Sequence, residues 1–211
     1  RSSRACSSSM VARSAGSGDV GIGTVAGLRA VKDLPLLVAA LAHTPRHVRL
    51  VIVGEGPERG AIEAAATAAG VAGRVMLPGF LTEPQRFVGL FDIMALSSLS
   101  EQQPIAVMEG MAAGLPIVAP PVGDVAAMVS APNADYIVER SAEALGAALT
   151  RLANDAALRD QIGSANALKA HDEFDAEQMV QRYASLYAGA IGQPPTRLVP
   201  EREGGAPISS C

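Results

Sequence analysis

Two glutamates that lie eight positions apart, Glu101 and Glu109, carry the clearest chemical signal in the sequence. An ionised carboxylate only accepts hydrogen bonds, through two oxygens, so the pair could hold the hydroxyl groups of a polyol. Pro104 lies between them, and proline is favoured at the first position of a helix, where its missing N–H costs nothing. The unpaired amides and the positive dipole end of such a helix start bind phosphate groups. The pattern therefore predicts a site for a ligand that has both a phosphate and a polyol.

The segments around these residues alternate between strand and helix patterns. Apolar runs are typical of buried parallel strands, and Ala-rich or amphipathic segments follow them. The order predicts an α/β fold, a Rossmann-like parallel sheet with helices on both faces. Ligands bind such sheets beyond the carboxyl ends of the strands, here after Ala26, Val53, Leu77, Leu96 and Ala119. The predicted strands span 20–26, 48–53, 74–77, 91–96, 116–119 and 135–138, and the predicted helices span 34–42, 58–69, 83–90, 104–113, 124–129, 141–153, 155–170 and 175–190.

The loop after the fourth predicted strand is expected to be the centre of the site. The amides from 103 to 106 would face the crevice and hold a phosphate. Glu101 precedes them, where its carboxylate could accept hydrogen bonds from hydroxyls. Glu109 lies roughly one and a half turns into the helix, where it could bind a vicinal diol such as a ribose. Either glutamate alone could instead be a capping or solvated residue, and only their combination with Pro104 between two buried strands favours a ligand site.

Composition and charge limit the class of protein. The chain has 211 residues, of which 49% are hydrophobic and 18% charged, enough for one sizeable core. The net charge of −4 gives no electrostatic case for nucleic acid or an anionic membrane. No apolar run reaches the roughly 18–20 residues of a membrane span. The cysteines Cys6 and Cys211 form neither a disulfide nor a metal pattern, so a soluble, cytoplasmic protein without a bound metal is predicted.

Both ends of the chain differ in composition from its centre. Residues 1–19 are rich in Ser, Arg and Gly and are interpreted as disordered or as the junction of a fragment. Residues 192–211 are rich in Pro and Gly and are interpreted as a disordered tail. The predicted domain is therefore 20–191.

The region of the paired glutamates resembles a known motif. It reads Ser98-Leu-Ser-Glu101-Gln-Gln-Pro104, then Glu109-Gly-Met-Ala-Ala-Gly-Leu-Pro116-Ile-Val-Ala. This resembles the E-x7-E region of retaining nucleotide-sugar glycosyltransferases of the GT-B fold, family 4 (glycosyl transferases group 1). Further matches follow in order over roughly residues 20–190: Gly23-Thr24-Val25 with Lys32-Asp33, Leu50 to Pro57, Val75 to Phe80, and Val122-Gly123.

The resemblance implies an activity and partners. It implies the C-terminal, donor-binding domain of a retaining hexosyltransferase, with a nucleoside-diphosphate sugar as donor and a glycan or lipid-linked hydroxyl as acceptor. Nucleic acid is not an expected partner. It implies a role in surface-glycan biosynthesis and no metal or other cofactor. An N-terminal GT-B domain, ahead of residue 20, would bind the acceptor and would provide the only peripheral membrane contact. The last predicted helix, 175–190, would either present an apolar stripe to that domain or pack as core.

The resemblance also implies roles for individual residues. Glu101 would hold the donor sugar and Lys32 would neutralise the diphosphate, which makes these two the catalytic residues. Glu109 would bind the ribose hydroxyls. The remaining implied substrate-binding residues are the helix start (Gln103, Pro104, Ile105 and Ala106), the glycines of a turn (Gly54 and Gly56), the backbone beside the base (Phe80 and Leu81), and Arg29.

One departure from the family pattern concerns the phosphates. Gly27 stands where the family has a phosphate-binding arginine, and Arg29 comes two positions later. Loss of a bidentate guanidinium would weaken diphosphate binding, which leaves open a non-catalytic nucleotide-binding module. A dinucleotide-dependent oxidoreductase is the other alternative, but the sequence from Gly21 to Ala26 lacks the third glycine of its G-x-G-x-x-G loop.

Overall fold

The computed structural model describes residues 18–192 and contains a five-stranded, fully parallel sheet with the strand order β3-β2-β1-β4-β5. The predicted α/β, Rossmann-like fold is confirmed. Because β1 lies at the centre, between β2 and β4, the loops that follow β1 and β4 meet at one edge of the sheet. The strands are β1 (Val20–Val25), β2 (Val48–Val53), β3 (Val75–Gly79), β4 (Ile93–Ala95) and β5 (Ile117–Val118).

Eight α-helices connect or follow the strands within the described residues. Three short 3-10 segments, Ala30–Lys32, Ala72–Arg74 and Ala131–Tyr136, join them. The α-helices are α1 (Leu34–Ala42), α2 (Arg59–Ala68), α3 (Gln85–Val88), α4 (Ile105–Ala112), α5 (Val125–Met128), α6 (Ala142–Ala153), α7 (Ala156–Phe174) and α8 (Ala176–Ala190).

Helices cover both faces of the sheet, and successive strand residues point to opposite faces. Leu50 and Ile52 of β2 belong to one buried cluster with residues of α1, α2 and α6. On the opposite face, α4 approaches so closely that a β-carbon at Gly110 would lie 3.1 Å from side-chain atoms of Met94 and Ile117. The strands therefore need apolar residues at almost every position, which explains the continuous apolar runs in the sequence.

The predicted sixth strand at 135–138 is wrong. A 3-10 helix, Ala131–Tyr136, includes its first two residues, and only a single bridge joins Ala119 to Ile137. The reason is the side chain of Asn133, which occupies the free edge of β5. Its Oδ1 accepts from the amide of Ile117 at 2.8 Å and its Nδ2 donates to the carbonyl of the same residue at 2.8 Å. A side-chain amide thus supplies the pair of bonds that a neighbouring strand would make.

A second buried amide fixes the chain beyond β5. Asn166 of α7 is fully buried, and its Nδ2 donates to the carbonyl of Leu115 at 2.9 Å and to Oδ1 of Asn133 at 2.8 Å. Its Oδ1 accepts from the amide and the hydroxyl of Ser130, at 3.0 and 2.7 Å. The network joins α7 to the turn between α4 and β5, so it supports the helix that carries Glu109.

Several element bounds differ from the predicted ones. Helix α4 begins at Ile105, and Pro104 is its N-cap with an extended backbone (φ −70°, ψ 121°) rather than its first helical residue. The strand predicted at 91–96 is β4, only three residues long, and the amide of the next residue, Leu96, still donates to the carbonyl of Val118 before the loop that contains Glu101. The last three predicted helices are confirmed as α6, α7 and α8.

The described chain divides into two compact units, the first extending to Ala170 and the second beginning at His171. In the second unit, the side chains of Met179, Tyr183 and Tyr187 on α8 are exposed. No helix between residues 18 and 192 has the length and apolar character that a membrane crossing needs. The predictions for the two tails and for Cys6 and Cys211 fall outside the described residues, except at positions 18, 19 and 192.

Candidate functional site

Two adjoining pockets lie at the carboxyl edge of the sheet, where the sequence predicted the site. The first, of about 350 Å³, is enclosed by the loop after β1, the loop after β4 and the start of α4. The second, of about 470 Å³, lies between the ends of β1 and β2, the segment after β3, and α4. Both pockets are lined by residues 25–27, Ile105 and Ala106, so the start of α4 forms their common wall.

An ion pair lies in the first pocket. Nζ of Lys32, at the end of a 3-10 turn after β1, is 2.6 Å from Oε1 of Glu101. The same carboxylate oxygen accepts a hydrogen bond from Oγ of Ser98 at 2.6 Å. The Glu101 side chain is only 10% exposed, so two donors compensate for its partial removal from water. Both predicted catalytic residues are therefore together in one pocket.

Two further bonds hold the backbone that carries Lys32. The hydroxyl of Ser97 donates to the carbonyl of Lys32 at 3.0 Å, and the amide of Leu99 donates to the carbonyl of Val31 at 2.8 Å. Sequence reasoning assigned no role to the serines after β4. Their position in the sequence could have predicted a role, because residues that directly follow a central parallel strand lie at the edge of the sheet where ligands bind.

The start of α4 presents two amides to the common wall of the pockets. The carbonyl of Pro104 accepts from the amide of Val107 at 3.0 Å. The amides of Ile105 and Ala106 come before Val107, the first amide that the helix itself pairs, so they are available to a ligand. Gln103 lines the first pocket and is exposed, whereas Pro104 is buried. The positive end of the helix dipole lies behind these amides and favours an anion.

Glu109 lies in the second pocket and not in the first. One turn of α4 separates it from the amides of Ile105 and Ala106, which places it on the other side of the common wall from Glu101. Burial raises the pKa of the Glu109 carboxyl above its ordinary value of 4.5. Burial destabilises the ionised form of this carboxyl, so hydrogen-bond donors from a ligand would stabilise it.

Phe80 and Leu81 form the apolar side of the second pocket. Phe80 is 74% exposed, whereas Leu81 is buried. An aromatic ring so exposed at a pocket offers a flat surface against which a planar ligand could stack.

The two predicted site glycines differ in position. Gly54 lines the second pocket, and its φ of 144° together with the carbonyl of Ala26 leaves no room for a side chain. Gly56 lines neither pocket. A side chain there would collide with the backbone of Leu28, so Gly56 lets the loops after β1 and β2 pack against each other.

Arg29 lies beside Gly27 although it lines neither pocket. Gly27 lines both pockets, and a β-carbon built on it would lie 3.8 Å from Nε of Arg29. The guanidinium of Arg29 is therefore folded back toward the position where the family arginine would begin. From the sequence alone, Arg29 comes two positions after the place of the family arginine, so its spacing did not predict this position.

A tight turn supports the loop that carries Glu101. Gly123 has φ of 54°, and a side chain on it would collide with the carbonyls of Glu101 and Gln102. The amide of the next residue, Asp124, donates to the carbonyl of Gln102 at 2.9 Å. Glycine at this turn thus allows the close approach that fixes the Glu101 loop.

Metal-ligating side chains are scattered in this part of the molecule. Between residues 18 and 192, no three His, Cys, Asp or Glu side chains lie close enough together to bind one metal ion. The first pocket instead has the ammonium group of Lys32 as its cation.

The sheet topology and the position of the site define the class: a Rossmann-like α/β domain with a crevice beyond the carboxyl ends of its central strands. The chain belongs to the family described as glycosyl transferases group 1, whose family model matches residues 19–155. The family predicted from the paired glutamates is confirmed.

Relatives of known activity are similar over much of the chain. The N-acetyl-alpha-D-glucosaminyl L-malate synthase of Bacillus anthracis is 25% identical over 167 residues, which cover 77% of this chain and 44% of that protein. The 2-deoxystreptamine glucosyltransferase of Streptomyces kanamyceticus is 31% identical over 104 residues, which cover 48% and 27%. The chain thus spans less than half the length of these relatives.

Solved structures share the fold. Anabaena Alr3699/HepE in complex with UDP superposes with a TM-score of 0.79 at 21% identity, covering 87% of this chain and 53% of that one. WaaG, a glycosyltransferase involved in lipopolysaccharide biosynthesis, superposes with a TM-score of 0.71 at 21% identity, covering 89% and 51%. At these identities the likeness shows the GT-B type of fold and not the ligand.

Proposed function

We propose that this chain is the donor-binding domain of a glycosyltransferase that moves a sugar from a nucleoside-diphosphate sugar to a hydroxyl acceptor. The observation that carries the proposal is the pair of adjoining pockets, with Glu101 and Lys32 in one and Glu109 in the other. A ligand with a sugar, a diphosphate and a ribose in sequence needs an acceptor, a cation and a second acceptor in that order. Family membership and relatives that transfer sugars support the same function.

The diphosphate would lie against the common wall. The amides of Ile105 and Ala106 would donate to its oxygens, and the ammonium group of Lys32 would neutralise part of its charge. Arg29 would supply a guanidinium from beside Gly27, and Gln103 would contact the same ligand from the rim. We propose that these groups, rather than a metal ion, stabilise the diphosphate as it leaves.

The donor sugar would lie over Glu101 and the nucleoside in the second pocket. The hydroxyls of the sugar would donate to the free oxygen of Glu101, and the ribose hydroxyls would donate to Glu109. In the transfer, the bond from the anomeric carbon to the diphosphate oxygen breaks and a bond to the acceptor oxygen forms. The acceptor proton passes to the departing diphosphate. Retention of configuration is part of the proposal, following the family resemblance.

The acceptor and the cellular setting are also proposals. Relatives are longer than this chain, and we propose that a second GT-B domain closes over the carboxyl edge of the sheet and binds a glycan or lipid-linked acceptor. We propose a role in surface-glycan biosynthesis and a location in the cytoplasm. Two lipopolysaccharide core biosynthesis glycosyltransferases of Rhizobium meliloti, 27% and 26% identical, support that role.

Calorimetric titration with UDP and GDP tests the donor site. Wild-type protein should bind at least one of them, and Glu109→Ala should weaken that binding about tenfold, since hydrogen bonds to a charged group are lost. Glu139→Gln is the matched control, because Glu139 is exposed and lines neither pocket. Absence of binding by wild type, or an equal loss in both variants, would contradict the proposal.

A further inference from the structure

Glu55 is a charged residue of the second pocket that the donor site described above does not use. It lies two residues after the end of β2 and lines the pocket together with Phe80 and Glu109. Among the described residues that line this pocket, the two glutamates are the only ones with polar side chains. The polar side chains of this pocket, when ionised, can therefore only accept hydrogen bonds.

The carboxylate of Glu55 is held in one place by an arginine. Nη1 of Arg59 is 3.1 Å from Oε1 of Glu55, Nη2 donates to the carbonyl of Leu77 at 3.0 Å, and Nε bonds Oε1 of Glu63 at 3.1 Å. The arginine is thus anchored to the backbone of β3. A β-carbon at Gly79, the last residue of β3, would lie 2.8 Å from Oε1 of Glu55, so the carboxylate lies over this strand end, next in sequence to Phe80.

The ion pair has little value for the stability of the fold. Its side chains are 51% exposed for Glu55 and 37% for Arg59, and exposed pairs of this spacing contribute little because water and salt screen them. Substitution of Glu55 should therefore leave the folded domain intact, and its effects can be measured on binding.

We infer that Glu55 selects the base of the donor nucleotide and that the preferred base is guanine. The inference rests on the proposed function, since it needs a nucleoside in the second pocket. With its ring on Phe80 and its ribose on Glu109, a base would turn one edge toward Glu55. Guanine presents two neighbouring N–H donors, N1–H and the N2 amino group, which match the two oxygens of a carboxylate.

The other bases present less suitable edges to a carboxylate. Uracil has a single N–H between two carbonyl oxygens, and both oxygens would face the negative charge. Adenine and cytosine each place a ring-nitrogen acceptor beside their amino group. A carboxylate at this position therefore discriminates by repulsion as well as by attraction.

Titration of the full chain with GDP and with UDP, in wild type and in Glu55→Gln, tests the inference. Wild type should bind GDP about tenfold more tightly than UDP, as expected for hydrogen bonds to a charged group. Glu55→Gln should lose most of that preference, because GDP loses a charged acceptor and binds more weakly whereas UDP is no longer repelled and binds more tightly. Glu63→Gln is the matched control, since it removes the same charge from the same arginine outside the pocket.

Each other outcome has a distinct meaning. Equal or tighter binding of UDP by wild type, or an equal loss of both nucleotides in Glu55→Gln, would overturn the role of Glu55 and leave the donor site standing. A wild-type protein that binds neither nucleotide would overturn the proposed function and this inference together. Thermal unfolding midpoints of the three proteins, expected to agree, verify that only binding has changed.

Discussion

Lys32 and Glu101 form an ion pair of 2.6 Å although 69 positions separate them in the chain. The pairing is possible because β1 and β4 are neighbours in the sheet, so the loops that follow them meet. One oxygen of Glu101 takes both donors, from Lys32 and from Ser98, and its second oxygen is the one we assign to the sugar. This shared oxygen makes the orientation of Glu101 dependent on Ser98.

Ser98→Ala should weaken binding of a nucleoside-diphosphate sugar about fivefold, in line with the loss of about 1 kcal/mol from a buried hydrogen bond. The free nucleoside diphosphate should be affected less, because it lacks the sugar that Glu101 would hold. Calorimetry with both ligands measures the difference. Ser98→Thr should restore binding, and Ser100→Ala, at an exposed serine of the same loop, should have no effect. An equal loss for both ligands would indicate a purely structural role.

Acidification should weaken nucleoside-diphosphate binding through Glu109. Protonation removes the carboxylate acceptor, and because burial raises the pKa of Glu109, the loss begins at a higher pH than for an ordinary glutamate. The diphosphate itself also titrates, so the pH profile is compared with that of Glu109→Gln, which should show the smaller decline. Identical profiles would exclude Glu109 from the binding site.

The same pKa shift predicts a stability effect of opposite sign. Between the ordinary and the raised pKa, the folded state binds more protons than the unfolded state. The free energy of unfolding contributed by Glu109 therefore falls as pH rises through that window. Urea denaturation at a series of pH values should show a shallower decline in Glu109→Gln, and a steeper one would contradict the assignment.

Gly123→Ala should weaken donor binding by displacing the Glu101 loop. A side chain there would collide with the carbonyls of Glu101 and Gln102, in addition to the left-handed backbone that costs a non-glycine residue about 1–2 kcal/mol. Gly70→Ala is the matched control, because its φ of 69° is similar and no atom lies within 4 Å of the added carbon. Both variants should lose stability in thermal denaturation, but only Gly123→Ala should lose affinity for the nucleotide sugar.

Arg29→Ala should weaken diphosphate binding about tenfold if its guanidinium serves the phosphates from beside Gly27. Gly27→Arg in the Arg29→Ala background should restore binding, since a β-carbon at Gly27 has only Nε of Arg29 within 4 Å. Titration with UDP or GDP in low salt measures both steps. Unchanged affinity in Arg29→Ala would remove this residue from the site.

Asn166→Ala should destabilise the domain by about 3 kcal/mol, because the carbonyl of Leu115 and the amide of Ser130 would be left buried without partners. Urea denaturation measures this change in the free energy of unfolding. Asn154→Ala, at an exposed helix end, should change it by less than about 0.5 kcal/mol. A small loss in Asn166→Ala would mean that water replaces the amide.

Local patterns determined most of the secondary structure. The apolar run at 48–53 predicted β2 with its observed bounds, because a strand buried on both faces must be apolar at successive positions. The sequence also predicted the helix after Pro104 and the position of Glu109 in it. Both follow from the proline, the spacing and the apolar periodicity, which are properties of neighbouring residues. The family followed from the same short segments.

Tertiary structure alone decided which side chains meet. Ser98 with Glu101 and Lys32, Arg29 over Gly27, and Asn133 at the edge of β5 are contacts that depend on strand order and loop packing. Asn133 also shows why the strand-like sequence at 135–138 meets the sheet only at Ala119, because its side chain already satisfies the amide and carbonyl of Ile117. Chemical groups and local conformation are encoded by neighbours in sequence, whereas a site is formed by distances across the fold, which only the folded chain sets.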